Sequence, residues 1–198
     1  MTGSHNIDSE IPIEMFDSWL KQAQESEPND PNATALATST PDGVPSVRMV
    51  LAKQVGGRPF CFFTNAESRK GLELASNPRA ALCFHWKSLR RQVRVEGKVT
   101  ALAASDVDKY FHSRSRASQI GAAVSHQSRI LKTREELEAR VREFGEQHPG
   151  EIPRPGFWSG FHLQPERIEF WLDGKNRLHD RFLFTKGETR WQKSRLYP

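Results

Sequence analysis

The architecture of this chain can be inferred first from residues 34–65, whose sequence is TALATSTPDGVPSVRMVLAKQVGGRPFCFFTN. Within this stretch, segments rich in apolar residues have the length of β-strands at residues 34–38, 46–54 and 60–65. Turn-forming residues separate these segments, at Pro41-Asp42-Gly43 and at Gly56-Gly57-Arg58-Pro59. Strands that are joined by short turns pair in an antiparallel manner. The stretch therefore predicts a meander of three antiparallel strands.

Helices interrupt the strands in the rest of the chain. Apolar residues at helical spacing predict a first helix at 13–24, and Ser68 is well placed as the N-cap of a second at 68–76. Strands are expected at 80–86 and 92–102, followed by helices at 105–113, 117–125 and 134–147. After a loop rich in proline, strands are expected at 157–163, 167–172, 181–186 and 190–195. This order predicts an α+β fold built on an antiparallel barrel or sheet.

The composition indicates a domain of modest core size. With 198 residues the chain is long enough for one domain, and we expect a single domain over 1–198 with residues 1–12 as a flexible tail. The mean hydropathy of −0.66 is low for a large monomeric core, whereas 12 Phe and 5 Trp supply bulky apolar area. This mixture suits a β core that is completed by a partner subunit.

The charge of the chain favours an anionic ligand. The net charge is +5 at pH 7, and the sequence pI is about 9.4, so an acidic or phosphorylated partner fits. The basic residues are scattered in pairs, and no nucleic-acid-binding module is recognisable. Small phosphorylated ligands are therefore favoured over nucleic acid.

The cysteines and the apolar segments indicate a cytoplasmic protein. Cys61 and Cys83 lie in apolar, strand-like segments without CxxC spacing, so we expect two buried free thiols in a reducing cytoplasm. No apolar segment approaches the roughly 18 residues of a membrane span. The seven histidines show neither HExxH spacing nor pairing with cysteine, so no metal site is expected. The motifs GxSxG and GxGxxG are also absent.

One basic cluster lies near the C-terminus, at Arg177-Leu178-His179-Asp180-Arg181. If this segment is extended, Arg177, His179 and Arg181 point to one face, because side chains alternate along a strand. Because cations on one face repel each other, such a face indicates that an anionic ligand binds there. The alternative is a solvated basic strand edge that discourages edge-to-edge pairing.

Two further clusters flank the third strand. Arg48 and Lys53 are separated by an odd number of residues, so a regular strand would direct them to opposite faces and to two anions; the alternative is an ordinary amphipathic strand. Ser68, Arg69 and Lys70 stand at the start of a helix, where free N–H groups and the helix dipole favour a phosphate. A capped helix with solvated basic residues is an equally good interpretation of that second cluster.

The last cluster lies where one predicted helix ends and the next begins. Tyr110, Arg114 and Ser118 have the spacing i, i+4, i+8 and would share one face if the helix continues through them. A phenol, a guanidinium and a hydroxyl on one face can bind a phosphate dianion, although a polar outer face is equally compatible. Gln127 and Ser128 add two neutral donors after a predicted helix end.

Taken together, these residues closely resemble the pyridoxine (pyridoxamine) 5′-phosphate oxidases. The resemblance runs from about Ala35 to the C-terminus. Its matching stretches are Arg48-Met49-Val50-Leu51, Phe63-Thr64-Asn65, Ser68-Arg69-Lys70, Arg91-Gln92-Val93, Tyr110-Phe111-His112-Ser113-Arg114, Ser118-Gln119-Ile120-Gly121-Ala122, Val124-Ser125-His126-Gln127-Ser128, Phe157-Trp158-Ser159-Gly160, Ile168-Glu169-Phe170-Trp171 and Arg177-Leu178-His179-Asp180-Arg181.

The resemblance implies an FMN-binding split β-barrel that works as a homodimer. It implies oxidation of pyridoxine or pyridoxamine 5′-phosphate to pyridoxal 5′-phosphate, with reduction of O₂ to H₂O₂. It also implies that the flavin lies at the subunit interface, between barrel residues near Arg48 and Arg69 and partner residues near Gln127, Trp171 and Arg181. The C-terminal strands, 157–198, would contribute to the dimer and to the active site. The alternatives are an FMN oxidase of phenazine type and a flavin or pyridoxal-phosphate binder without turnover.

The resemblance also implies roles for individual residues. The FMN phosphate region would be held by Arg48, Arg69, Lys70, Gln127 and Ser128, within a cofactor-binding set that includes Met49 and Ser68. The flavin would be lined by Val50, Leu51, Phe63 and Thr64, with Gln92, Trp171 and Arg181 around its ring. The substrate phosphate would be bound by Lys53, Tyr110, Arg114 and Ser118. The pyridine ring would lie under Arg177 and His179, the residues nearest the chemistry. Ser115 departs from the family pattern, because proline is usual there.

Overall fold

The computed structural model describes residues 9–198, and its strands form one nine-stranded sheet in which every pair is antiparallel. The predicted α+β class and antiparallel sheet are therefore confirmed. The strands are β1 (Ala33–Ser39), β2 (Pro45–Leu51), β3 (Lys53–Val55), β4 (Arg58–Asn65), β5 (Arg79–Trp86), β6 (Arg91–Ala101), β7 (Trp158–Leu172), β8 (Asp180–Lys186) and β9 (Trp191–Arg195).

The helices lie where the sequence predicts them, to within a few residues. They are α1 (Pro12–Ser26), α2 (Arg69–Ser76), α3 (Ala104–Ser113), α4 (Arg116–Val124) and α5 (Arg134–Gln147), with a short 3₁₀ turn at Lys175–Arg177. The start of α1 lies in the predicted tail, and residues 1–8 of that tail are outside the described residues. No helix within residues 9–198 is both long and apolar enough to cross a membrane.

The sheet must curl, because the chain joins its two ends directly. The strand order is β2-β1-β5-β6-β7-β4-β3, so β2 and β3 stand at opposite ends. Only Ala52 separates them in sequence, where a single strand over 46–54 was predicted. Asn32 holds this break, since its side-chain amide donates to the Ala52 carbonyl at 2.9 Å and its own carbonyl accepts from the Ala52 N–H at 2.9 Å. The prediction of one continuous strand was wrong for this reason.

The long strand β7 links both halves of the sheet. It pairs with β6 along one edge, and along the other it pairs first with β4 and then with β8. The sequence predicts two strands here, at 157–163 and 167–172, with Pro165 between them. A bulge next to Gly97 accommodates Pro165 within one strand. A Cβ on Gly97 would lie 1.9 Å from the Gln164 carbonyl oxygen, so this close approach requires glycine.

The two faces of the sheet bury different cores. Phe60 and Phe62 belong to one core, which also holds Phe16 and Trp19 of α1. Cys61 points to the second core, which is shared with α3, α4 and the segment around Ile152. Cys61 is fully buried whereas Cys83 is only half-buried, so the prediction of two buried thiols is correct for Cys61 alone.

Candidate active site

A cavity of about 830 Å³ opens between β2, the end of β4, α2, the α3–α4 junction and the segment after α4. Most of the residues predicted for cofactor and substrate contribute to its walls. They are Arg48, Met49, Val50, Leu51, Phe63, Thr64, Arg69, Lys70, Tyr110, Arg114, Ser118, Gln127 and Ser128. Residues distant in sequence therefore converge on one site within a single chain.

Lys70 forms the buried positive centre of this cavity. Only 7% of the residue is exposed, and its Nζ donates to Thr64 Oγ1 at 3.1 Å, Ser68 Oγ at 3.2 Å and Gln127 Oε1 at 3.1 Å. All three acceptors are neutral. Burial, together with the nearby Arg48, lowers the pKa of Lys70 because both disfavour its charged form. A buried ammonium bonded only to neutral acceptors favours an anionic ligand.

Helix α2 is brought close to β4 by a glycine. A Cβ on Gly71 would lie 2.1 Å from the carbonyl oxygen of Ala66, so no larger residue fits without backbone movement. The Ser68 hydroxyl does not cap the helix as predicted, because it donates instead to the Asn65 carbonyl at 2.6 Å. The Arg69 N–H donates to Ser128 Oγ at 3.2 Å. The first turn of α2 is thus tied to the segment after α4.

Glu73, a residue without a predicted role, organises the two arginines of this region. Its Oε1 accepts from Arg69 Nε at 2.9 Å, and its Oε2 lies 3.5 Å from the NH2 nitrogen of Arg48. Burial opposes the ionised form, but hydrogen bonds from Ser46, Thr38 and Arg69 together lower the pKa of Glu73 to about 2. The sequence contains a signal for this contact, since Arg69 and Glu73 are four residues apart on a helix.

The predicted stripe of Tyr110, Arg114 and Ser118 does not lie on one helix. Helix α3 ends at Ser113, Arg114 is extended, and Ser115 caps α4 by accepting from the Ser118 N–H at 3.3 Å. The condition of a continuous helix is therefore not met, in agreement with the separate helices predicted at 105–113 and 117–125. The break nevertheless brings all three side chains to the same cavity.

Arg114 is held in place by an aromatic wall. Its guanidinium carbon lies 5.2 Å from the ring centroid of Trp158. Phe63 stacks on Tyr110 at a centroid distance of 3.9 Å and on Trp158 at 5.3 Å. The NH1 nitrogen of Arg114 is buried and has no hydrogen-bond partner within residues 9–198, and burial lowers the pKa of this arginine. An unpaired buried guanidinium nitrogen is a second indication of an anion.

Lys53 lies near the same wall. Its Nζ is 5.9 Å from the ring centroid of Tyr110, although Lys53 itself does not line the cavity. The break at Ala52 separates it from the strand that carries Arg48. Trp158 is not among the predicted site residues, although it belongs to the family-like stretch Phe157-Trp158-Ser159-Gly160.

A second group of predicted residues lies outside this cavity. Gln92, Trp171 and Arg181 are neighbours across β6, β7 and β8, because Trp171 pairs with both of the others. Arg181 Nε donates to Glu169 Oε1 at 2.9 Å, and Glu169 also contacts Arg94. Gln127, predicted with this group as a partner residue, instead contacts Lys70 in its own chain. That part of the interface prediction was wrong.

The segment that carries Arg177 and His179 is not extended. Asn176 and Arg177 have φ values of 57° and 63°, and a 3₁₀ turn covers Lys175–Arg177. The extended conformation on which the common face of Arg177, His179 and Arg181 depends is therefore not present. His179 packs on Trp171 at a centroid distance of 4.6 Å, and its Nδ1 accepts from the Gly174 N–H at 3.1 Å. Within residues 9–198, no three His, Cys, Asp or Glu side chains are grouped as metal ligands.

Fold and cavity together define a curled antiparallel-sheet protein with a cationic, partly aromatic ligand site. The family described as "Pyridoxamine 5′-phosphate oxidase" matches residues 20–148, and the "Pyridoxine 5′-phosphate oxidase C-terminal dimerisation region" matches residues 158–198. The chain therefore belongs to the pyridoxamine 5′-phosphate oxidase family, and this membership points to flavin binding.

Individual relatives agree with this membership. A protein of Gluconobacter oxydans named pyridoxine/pyridoxamine 5′-phosphate oxidase is 55% identical over 188 residues, covering 94% of each chain. The crystal structure of PhzG from Burkholderia lata in complex with tetrahydrophenazine-1-carboxylic acid has a TM-score of 0.92 and 31% identity, covering 100% of this chain and 98% of PhzG. A Nostoc punctiforme structure described as a pyridoxamine 5′-phosphate oxidase-related, FMN binding protein shares the fold, with a TM-score of 0.77, 17% identity and coverage of 96% and 100%.

Proposed function

We propose that this protein is an FMN-dependent oxidase that converts pyridoxine 5′-phosphate or pyridoxamine 5′-phosphate to pyridoxal 5′-phosphate while O₂ is reduced to H₂O₂. The observation that carries the proposal is the cavity itself, which holds two separate cationic groups beside one aromatic wall. Two phosphorylated molecules, a cofactor and a substrate, require two anion sites. The names of relatives at about 55% identity support the same activity.

The first cationic group fits the phosphate of FMN. Arg48, Arg69 and Lys70 converge near a single carboxylate, Glu73, and so leave a net positive charge. We assign the phosphate region to these three cations with Gln127 and Ser128, and the flavin wall to Met49, Val50, Leu51, Phe63 and Thr64. Ser68 takes an indirect part through its bond to Lys70. When bound, FMN supplies the group that accepts two electrons and passes them to O₂.

The second cationic group fits the phosphate of the substrate. Arg114 has an unpaired nitrogen in the cavity wall, and Tyr110 and Ser118 provide hydroxyls beside it. Lys53 adds a charge 5.9 Å from the centroid of the Tyr110 ring. These residues would orient the substrate rather than react with it, because the chemistry requires mainly that two rings be held face to face.

We further propose that the active unit is a homodimer with two shared sites. Val47, Met49 and Leu51 of β2 line the cavity and expose 68%, 64% and 45% of their surface, which is a large exposure for three apolar side chains on one face of a strand. Gln92, Trp171 and Arg181 lie outside the cavity of their own chain. In the proposed dimer they reach the partner's cavity, together with Arg177 and His179, which would contact the pyridine ring. Residues 1–198 then act as one domain, whose strands from 157 onward build both the interface and the site.

A turnover assay tests the proposed function. Purified protein, reconstituted with FMN, is expected to release H₂O₂ with pyridoxine 5′-phosphate and pyridoxamine 5′-phosphate, and far less with unphosphorylated pyridoxine. Substrate and O₂ should each saturate the rate. Flavin binding without turnover would support the non-catalytic binder instead. Turnover of a dihydrophenazine-type acid, with none of the phosphorylated pyridines, would support a phenazine-type oxidase. The free thiols of Cys61 and Cys83 fit the cytoplasmic location expected from the sequence.

A further inference from the structure

Glu73 is almost completely buried, with 4% of the residue exposed, and it contacts two arginines of the cavity wall. Its Oε2 accepts from Thr38 Oγ1 and Ser46 Oγ, each at 2.5 Å, and its Oε1 accepts from Arg69 Nε at 2.9 Å. The NH2 nitrogen of Arg48 lies 3.5 Å from Oε2. One carboxylate thus connects β1, β2 and the two arginines that face the cavity.

The two arginines depend on Glu73 to different degrees. Arg48 is also held by neutral acceptors, since it donates to the Leu36 carbonyl at 3.2 Å and to the hydroxyls of Thr38 and Ser46, each at 2.5 Å. The Arg69 side chain is 57% exposed, and its guanidinium bonds to Glu73 and to no other side chain of residues 9–198. Without Glu73, the Arg69 side chain would sample many rotamers in solvent.

We propose that Glu73 is a positioning residue that holds Arg69, and to a lesser degree Arg48, toward the cavity and so makes the flavin site selective for the phosphorylated cofactor. This inference rests on the proposed function, because it assigns the Arg48–Arg69–Lys70 group to the FMN phosphate. A guanidinium that is already ordered loses less conformational entropy when a phosphate binds. A flavin without the phosphate does not bind more tightly when Arg69 is ordered, because it does not contact that guanidinium.

The charge of Glu73 also repels a phosphate, so the two effects compete. Two hydroxyl donors and two guanidiniums surround the carboxylate and neutralise much of its field toward the cavity. The alignment of Arg69 therefore outweighs the repulsion. Loss of Glu73 should weaken FMN binding rather than strengthen it, and this sign makes the inference testable.

The test compares FMN with riboflavin, which has the same ring system but no phosphate. Dissociation constants of both are measured for the apo-protein by quenching of flavin fluorescence, in wild type and in Glu73→Gln. We expect the FMN affinity of the variant to fall roughly tenfold or more, with the riboflavin affinity changed by less than roughly twofold. An unchanged or increased preference for FMN would overturn the inference, and so would an equal loss of both affinities, which indicates a structural role.

One further variant keeps the test decisive if Glu73→Gln folds poorly, and a double variant tests the mechanism if it folds well. Thr38→Val preserves side-chain shape and removes one donor to Glu73, so it should reduce the FMN preference in the same direction by a smaller factor. The double variant Arg69→Ala/Glu73→Gln should prefer FMN over riboflavin almost as much as Arg69→Ala alone does, because Glu73 acts mainly through Arg69. Full additivity of the two changes would contradict the mechanism. Glu67→Gln, an exposed charge change close to α2, is the matched control and should leave the preference unchanged.

The result also separates this inference from the proposed function. If the wild-type protein binds FMN no better than riboflavin, the assignment of the cofactor phosphate fails, and the inference fails with it. If wild type prefers FMN and Glu73→Gln retains the whole preference, the function stands and the role of Glu73 is wrong.

Discussion

Lys70 Nζ lies 3.1 Å from Gln127 Oε1, so the first turn of α2 is joined to the segment after α4 within one chain. This contact surrounds a buried ammonium with neutral oxygen atoms alone. The free energy of the arrangement becomes favourable when an anion approaches the ammonium, because a buried charge without a counterion is destabilising. The strongest cofactor contact is therefore expected at Lys70.

We predict that Lys70→Met weakens FMN binding. Methionine fills a similar volume without the charge, and loss of one charge-assisted phosphate contact costs about 1.5–3 kcal/mol, or roughly ten- to hundredfold in affinity. Titration of the apo-protein with FMN measures the effect. Lys98→Met, at an exposed position of β6, is the control for a general loss of charge. Equal affinities for Lys70→Met and wild type would show that the phosphate lies elsewhere.

We predict that Arg114→Ala raises KM for the phosphorylated substrate while FMN remains bound. This prediction is based on the buried, unpaired NH1 nitrogen of Arg114, whose guanidinium lies beside Trp158. The increase should be roughly tenfold or more, and Tyr110→Phe should have a milder effect because it removes only a hydroxyl. Steady-state kinetics with saturating FMN measure both, with the exposed Arg142→Ala as the control. Release of FMN by Arg114→Ala with an unchanged KM would show that Arg114 binds the FMN phosphate and not the substrate phosphate.

Glu73 also predicts how stability depends on pH. Its pKa is about 2 in the folded protein, against an ordinary value of 4.5. A carboxylate whose pKa is lowered by folding stabilises the protein fully above pH 4.5, and this contribution is lost as the pH falls toward 2. The separation of the two pKa values corresponds to about 3 kcal/mol. Urea unfolding at pH 7 and pH 3 should show a smaller loss for Glu73→Gln than for wild type; equal losses would contradict the prediction.

We predict that Arg177 and His179 act on the substrate and not as metal ligands. His179 Nδ1 accepts from the Gly174 N–H and lies 3.3 Å from Asp173 Oδ1, so this nitrogen is already engaged within the chain. Exhaustive chelation, followed by metal analysis, should therefore leave the full oxidase rate. A loss of rate that added metal restores would overturn this assignment.

The sequence predicts the strands and helices well because the signals that form them are local. The turn at Pro41-Asp42-Gly43 and the apolar stripe of α1 determine their elements without help from distant residues. The same holds for the cationic groups, since Ser68-Arg69-Lys70 and Gln127-Ser128 were recognised as separate stretches. Their convergence on one cavity depends on the tertiary fold. Only the resemblance to a known family implies that these separate stretches form one site.

The failures are at positions where distant or backbone effects decide the structure. Arg177 has a left-handed backbone conformation, and a Cβ on Gly174 would lie 2.0 Å from the Leu178 carbonyl oxygen, so this turn follows from close packing and not from side-chain alternation. The two helices predicted around Arg114 are present, but only the structure shows that the new start at Ser115 still brings Tyr110 and Ser118 to one cavity. The spacing of Arg69 and Glu73 indicates one contact of Glu73, but its partners Thr38 and Ser46 lie on strands far from it in sequence, so its burial does not follow from the sequence.

The arrangement of Trp171 and Arg181 leads to the final prediction. Glu169 holds Arg181 at 2.9 Å on the sheet beside Trp171, outside the cavity that Arg69 lines. In the proposed homodimer, the partner subunit's Arg181 completes the flavin site built around Arg69. FMN then binds the dimer and not the monomer, so added FMN should raise the Tm and shift any monomer toward dimer.

Mixed dimers test this directly. Arg69→Ala and Arg181→Ala homodimers each carry two defective sites and should have little activity. Unfolding and refolding of an equal mixture should produce heterodimers in which one site has both defects and the other has both native residues, so roughly half of a wild-type dimer's activity should return per heterodimer. Differently tagged chains allow the heterodimer to be isolated, and Arg142→Ala mixed with Arg181→Ala is the control. Verified heterodimers without recovered activity, or a monomer that binds FMN tightly in sedimentation experiments, would show that each site is built from one chain.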